Sequence, residues 1–301
     1  MNKENNYRLK VPFRILIVTI VLLVSTLSIV IALPLAELLN LDLSELQGPG
    51  FNPTVKTLTV IVLYASFQFL LIWLVMRLVH KKSIKTLGFN GPVLKPLLFG
   101  TAIGVLMQAI EYALFSMFGS GVSFNFSIPA DVNILAFIGY LLLNILFLLT
   151  LNSLKEELVF RTYPIKQFDD HPNLMIPLLV LVSLIFAAVH HVLEPFSLDA
   201  FASRFSIALL LSFVFYKWRS IWLISGVHNG LNLLVNLTGG NYKLGGLFDF
   251  NVETDPSPTM RIVINVALPI IFILLFNHIW KREKQTNKLI FNIKHPEIIK
   301  V

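Results

Sequence analysis

Eight runs of apolar residues dominate this chain, most of them roughly 17 to 25 residues long, the length a helix needs to cross about 30 Å of hydrocarbon. We read them at Ile15 to Leu35, Leu58 to Val79, Leu97 to Phe118, Val132 to Leu151, Leu174 to Val189, Phe201 to Tyr216, Ile221 to Leu237 and Ile262 to Trp280. The fifth, sixth and seventh are short. Because 55% of the residues are hydrophobic and only 14% are charged, a water-soluble fold could not hide the apolar surface, so lipid is the expected solvent. The runs lack the short alternating pattern of a membrane barrel. The fold class expected is all-α, a polytopic membrane bundle of about eight transmembrane helices, with residues 1–301 forming a single membrane domain.

The first run follows basic residues, as a signal peptide would, but its apolar stretch is longer than an h-region and no small-residue cleavage site follows it, so we read it as a span. Loops such as Glu37 to Lys56 and Thr238 to Arg261 are too short and too rich in Gly, Pro and Asn for a core of their own. The segment Lys81 to Leu94 reads equally well as an interfacial stretch or a solvated loop. Cysteine is absent, which removes disulfides, thiolate ligands and thiol nucleophiles from consideration.

The net charge of +7 speaks to orientation before it speaks to nucleic acid, and no nucleic-acid partner is expected. Lys3, Arg8, Lys10 and Arg14 precede the first run, and Arg77, Lys81, Lys82, Lys85 and Lys95 lie between the second and third. Lys155, Arg161 and Lys166 follow the fourth, Lys217 and Arg219 the sixth, and the tail carries six more. Only Lys56, Arg204, Lys243 and Arg261 are left for the opposite side. The positive-inside rule therefore predicts a multi-pass protein of the cell membrane with both termini cytoplasmic.

Ionisable groups within or beside a membrane span are costly and mark function unless a structural partner explains them. Three places stand out: Lys155-Glu156-Glu157-Leu158-Val159-Phe160-Arg161, Phe186 to His191, and His228-Asn229-Gly230-Leu231-Asn232. Residues four apart share a helix face, so Glu157 pairs with Arg161 while Glu156 aims elsewhere, Phe186 walls the pocket of His190, and His228 and Asn232 project together. A carboxylate and imidazoles removed from water suit the activation of a water molecule, and His and Asn side chains suit a developing oxyanion. Taken singly, each motif also fits a bland role: a snorkelling charge cluster, an interfacial His pair, or interhelical hydrogen bonds. Glu111 reads as a structural or protonated carboxyl, and Asp169, Asp170 and His171 as a solvated turn.

Together, in order and on consecutive segments, the three motifs resemble the CAAX-protease and bacteriocin-processing family, called CPBP or Abi. Glu156 to Arg161 matches its Glu-Glu-x-x-x-Arg motif, Phe186 to His190 its Phe-x-x-x-His motif, and His228 to Asn232 its His-x-x-x-Asn motif. The resemblance covers a family-like core at 132–237. It implies an eight-helix intramembrane endopeptidase in which Glu156 and His190 activate water, His228 and Asn232 hold the oxyanion, and Glu157, Arg161 and Phe186 support them. The expected partners are the lipid bilayer and a membrane-associated peptide or protein substrate. No cofactor is expected, with a divalent metal such as zinc as the alternative; the helix signature His-Glu-x-x-His is absent. The competing readings are a non-catalytic immunity or scaffold member of the family and a multi-span transporter, whose matching broken halves the sequence lacks.

A depth problem accompanies this reading. If the fourth span ends at Leu151 and the fifth runs from Leu174, Glu156 and His190 lie at opposite ends of their helices. They meet only if the fifth span is displaced or the segment after Leu151 continues inward as a helix.

Overall fold

A computed structural model describes residues 9–38, 40, 55–126, 135, 138, 139, 142, 150–192, 195–238 and 248–286. Its architecture is a helical bundle. We number the elements α1 Val11–Leu38, α2 Val55–Leu74 with a π-turn at Val75–Val79, a 3₁₀ turn at Ile84–Leu87, α3 Leu94–Phe118 and β1 Ser120–Phe126. There follow α4 Thr150–Glu157, a π-turn at Leu158–Thr162, α5 Tyr163–Gln167, α6 Pro172–His190, α7 Leu198–Trp218, α8 Ile221–Leu237, β2 Phe248–Thr254 and α9 Pro258–Thr286. Among the described residues six helices are long and apolar enough to cross a membrane, and α8 is a shorter apolar helix. The fourth expected span falls largely outside the described residues; those described within it are all helical.

The outer surface confirms the solvent. Ile15, Leu16, Leu27, Leu70, Trp73, Leu98, Ile176, Ile271 and Leu274 are exposed along the helices, an arrangement suited to hydrocarbon and costly in water. Inside, Val21, Ile72, Met107, Leu158, Val159, Leu211, Val214, Phe215, Ile224 and Val227 form one buried core.

Two helices approach each other at backbone distance. In α3 the residues Gly100 and Gly104, and in α8 Gly226 and Gly230, form two small-xxx-small stripes that face one another. A Cβ added at Gly226 would stand 3.0 Å from the Gly100 Cα, and one at Gly104 would stand 2.8 Å from the Gly230 Cα. The register runs in the same sense on both helices, so α3 and α8 are parallel. Between lipid-solvated helices such close packing supplies association that the hydrophobic effect does not. Replacing Gly230 by Leu drives a side chain into the Thr101 and Val105 backbone, and overpacking of this kind costs about 3 kcal/mol. The expected result is a lower midpoint of thermal unfolding in detergent.

One end of the bundle gathers the basic loops. Arg14 donates to Asp170 at 2.6 Å and to the Gln167 carbonyl at 2.9 Å, and Arg219 and Lys166 each reach Asp169 at 2.6 Å. The turn at 169–171 is therefore an ion-paired junction of three helix ends, and not merely a solvated turn. Burial, with the charges of Lys82 and Arg14 behind it, pushes His80 down to about 4. His80 Nε2 bonds the Tyr163 hydroxyl at 3.1 Å. The segment 81–94 is mostly exposed and carries the 3₁₀ turn, but it is anchored to the bundle. Leu87 is buried, and Gly88, at φ +96°, offers its carbonyl to Ile221 N at 3.1 Å.

Burial alone would raise the Asp170 carboxyl, but the Arg14 guanidinium overrides it and holds the group down at about 2. A depressed carboxyl stabilises the fold above its ordinary range and loses that contribution as pH falls through its folded value. The melting-point gap between the wild type and Asp170→Asn should be full at neutral pH and close as pH drops from about 4 to about 2.

At the other end, Arg261 of α9 pairs with Asp199 and Asp255, each at 3.2 Å, and a two-stranded antiparallel sheet joins β1 to β2 with Val122 opposite Val252 and Phe124 opposite Phe250. This ribbon was not expected. Its second strand occupies part of the connection read as a loop, where the alternation Phe248, Phe250, Val252 is too short to stand out beside the helical runs.

Candidate active site

The site is built on the helix that the sequence reading ended too early. Past Leu151 the chain continues without a break through α4, the π-turn and α5 as far as Gln167, and Leu158, Val159, Arg161, Thr162, Tyr163 and Ile165 are completely buried. Glu156 thus lies roughly 15 Å in from the turn at 168–171, at 1.5 Å per residue. The second resolution of the depth problem holds: the segment runs inward, enclosed by its neighbours, and brings Glu156 toward the far end of α6. A π-turn shifts the helical face by an extra residue, a device common at functional sites.

Glu157 is the most enclosed acid among the described residues, with no exposed surface. Its Oε1 accepts from Arg161 Nη1 at 3.1 Å, the expected i,i+4 pair, and from His228 Nδ1 at 2.7 Å. The Arg161 guanidinium is stacked 3.7 Å above the Phe186 ring, which also meets Phe160 edge-on at 5.4 Å and His190 at 4.4 Å. Phe186 therefore couples the Glu-Glu-x-x-x-Arg helix to the histidine of α6, as its position one turn before His190 suggested.

Glu156 points to a different set of partners. Its Oε1 accepts from Asn152 Nδ2 at 2.9 Å and lies 3.7 Å from Lys155 Nζ, while Oε2 lies 3.8 Å from His228 Nε2. The last separation is too long for a hydrogen bond. His190 is within electrostatic reach of Glu156. Its Nδ1 sits 2.8 Å from the Phe186 carbonyl, which can only accept, so Nδ1 carries the proton and a neutral ring keeps Nε2 as an acceptor.

His228 is held from both sides, with Nδ1 on Glu157 and Nε2 toward Glu156. Asn232 follows one turn later on the same face of α8, half-buried. The structure thus brings Glu156, Glu157, Arg161, Phe186, His190 and His228 together and places Asn232 at the adjoining turn. Glu111 stands apart on α3 against Gln108. His191 turns away to Pro195, Arg204 and the rings of Phe196 and Phe201.

Several contributors were missed in the sequence. Asn229, between the two α8 motif residues, accepts from Ser153 and donates to Thr150 at 3.2 Å, pinning α8 to α4. Asn152 was findable, since it precedes Glu156 by one helical turn. The glycine stripes were findable too. Tyr64, which carries Lys155 on its ring face at 4.5 Å, gave no signal because it belongs to a distant helix.

Among the described residues no group of three or more His, Asp or Glu is placed to hold a metal ion.

The fold and site define a polytopic helical membrane protein with a buried carboxylate–imidazole cluster. Residues 138–234 match the family model described as type II CAAX prenyl endopeptidase Rce1-like. The match falls inside the core read at 132–237 and contains all three motifs. No curated protein and no solved structure matches the chain significantly.

Proposed function

We propose that this chain is an intramembrane endopeptidase that hydrolyses peptide bonds of a membrane-associated peptide or protein with water activated by Glu156 and His190. The observation that carries the reading is the arrangement about Glu156: one carboxylate oxygen is tethered on its own helix, and the other faces a fixed imidazole across a gap. A water at that carboxylate gives one proton to Glu156 Oε2 while its oxygen bonds to the substrate carbonyl carbon. His190 Nε2 orients the water. Asn232 donates to the oxyanion that forms, and so does His228 Nε2, with both ring nitrogens of His228 protonated between the Glu157 and Glu156 carboxylates. As the C–N bond breaks, Glu156 returns the proton to the leaving nitrogen, so the site ends as it began.

Glu157 and Arg161 support the cluster by fixing His228, and Phe186 holds His190. The end of the bundle bearing Arg14, Lys166 and Arg219 faces the cytoplasm, in accord with the basic loops gathered there. In this orientation both termini are cytoplasmic and the protein resides in the cell membrane.

Asn232→Ala tests the oxyanion role. A single donor is worth about 3 kcal/mol of barrier, so the variant should lose on the order of 100-fold in kcat with KM little changed. The assay is cleavage of a pooled membrane-peptide library by the purified protein, read by mass spectrometry and followed up on the best-cut peptide. A wild-type rate in Asn232→Ala would remove that role.

A further inference from the structure

Lys155 is a buried ammonium, 7% exposed, and the reaction outlined above does not use it. Burying an unpaired cation at this depth is expensive, so its contacts call for an account. Among the described residues these are the Tyr64 ring face at 4.5 Å and Glu156 Oε1 at 3.7 Å. The groups facing Glu156 are Lys155 and Arg161 of its own helix, His190 of α6, His228 of α8 and Tyr64 of α2. Of the two cations, Arg161 is engaged by Glu157 at 3.1 Å. That leaves Lys155 as the one Lys or Arg within direct ion-pair distance of Glu156 among the described residues, on Oε1, with His228 on Oε2.

The two oxygens of Glu156 are used unequally. Asn152 and Lys155 both act on Oε1, and His228 faces Oε2. We infer that Lys155 is a positioning residue: seated on Tyr64, it pins Oε1 of Glu156, keeps the group a carboxylate and leaves Oε2 to take the proton from water. Adjacent helical residues do not normally meet, so the Lys155 side chain must fold back along the helix to reach Glu156. The Tyr64 ring, supplied by α2, receives the ammonium in that position through cation–π attraction. Without the cation beside Oε1, Glu156 is a buried carboxyl that takes up a proton and can no longer act as a base.

This inference rests on the peptidase reading for its kinetic consequence, and its spectroscopic consequence is independent of it. The full chain, reconstituted in liposomes, is compared as wild type, Lys155→Met, Lys155→Arg, Glu156→Gln and Lys155→Met/Glu156→Gln. In kinetics on a peptide that the wild type cuts, Lys155→Met should lower kcat about 100-fold with KM unchanged, and Lys155→Arg should recover most of the loss. In infrared difference spectra, Lys155→Met should gain a protonated-carboxyl C=O band that the double variant lacks. Tyr64→Leu should give the same band more weakly, and it stands in if Lys155→Met does not fold. Wild-type kcat in Lys155→Met, or no new band, overturns the inference. If the wild type and Glu156→Gln cut equally, the peptidase reading fails, while the band still decides whether Lys155 governs Glu156.

Discussion

Glu156→Gln and His190→Ala should each lower kcat/KM by about 10²- to 10⁴-fold, and the double variant should fall scarcely further than the worse single. Glutamine keeps the size of the side chain and its bond from Asn152 but cannot take a proton at Oε2. Removing the imidazole of His190 takes away the acceptor that orients the same water, and an alanine there also frees the Phe186 carbonyl. Two groups acting on one water behave as a unit, so their losses do not add. Steady-state kinetics on a peptide cut by the wild type measure the cycle. Additive losses would mean that the two residues serve separate steps, and an unaffected rate in either variant would remove that residue from the reaction.

The largest expected effect on stability lies one residue along. Arg161 is 1% and Glu157 0% exposed at the side chain, and they are held at 3.1 Å with the guanidinium stacked on Phe186. Arg161→Met leaves the Glu157 carboxylate buried without its cation, a change that costs about 3 to 5 kcal/mol when one partner of a buried pair is removed. Equilibrium unfolding in mixed micelles should show a loss of that size. Adding Glu157→Gln should restore part of it, because the uncompensated charge is then gone while the His228 contact keeps an acceptor. A loss below about 1 kcal/mol would mean that water reaches the pair and that the site is wetter than the packing of Leu158, Val159 and Tyr163 indicates.

Much of this was legible in the sequence, for a simple physical reason. Span length and the cost of charge in lipid are local properties, so the long runs located the helices, and intramembrane Glu, Arg, His and Asn marked the candidate site. The i,i+4 rule gave the Glu157–Arg161 pair and the Phe186–His190 contact outright. Three things were not legible. The inward continuation of the helix from Thr150 to Gln167 was hidden because its charged start reads as a span end; only the enclosing helices make that burial tolerable. The His228–Glu157 bond joins residues 71 apart and depends on how α8 is set against α4, which the glycine stripes of α3 and α8 and the Asn229–Ser153 bond decide. The β1–β2 ribbon depends on two short segments far apart in sequence finding each other, and neither pattern is strong alone.

The same distinction applies to Lys155. In sequence it is one more basic residue at the end of a hydrophobic run, and snorkelling to water is the natural reading. In the fold it is enclosed, and its charge is met by Tyr64 and Glu156 instead.

The most direct test of the account compares purified wild type and Glu156→Gln, in the same liposomes, for cleavage of a membrane-peptide library read by mass spectrometry, with and without a chelator. The account predicts new peptide termini with the wild type, unchanged by the chelator, and none with Glu156→Gln. Equal cleavage by the two proteins, or a wild type that cuts nothing across the library, would contradict it.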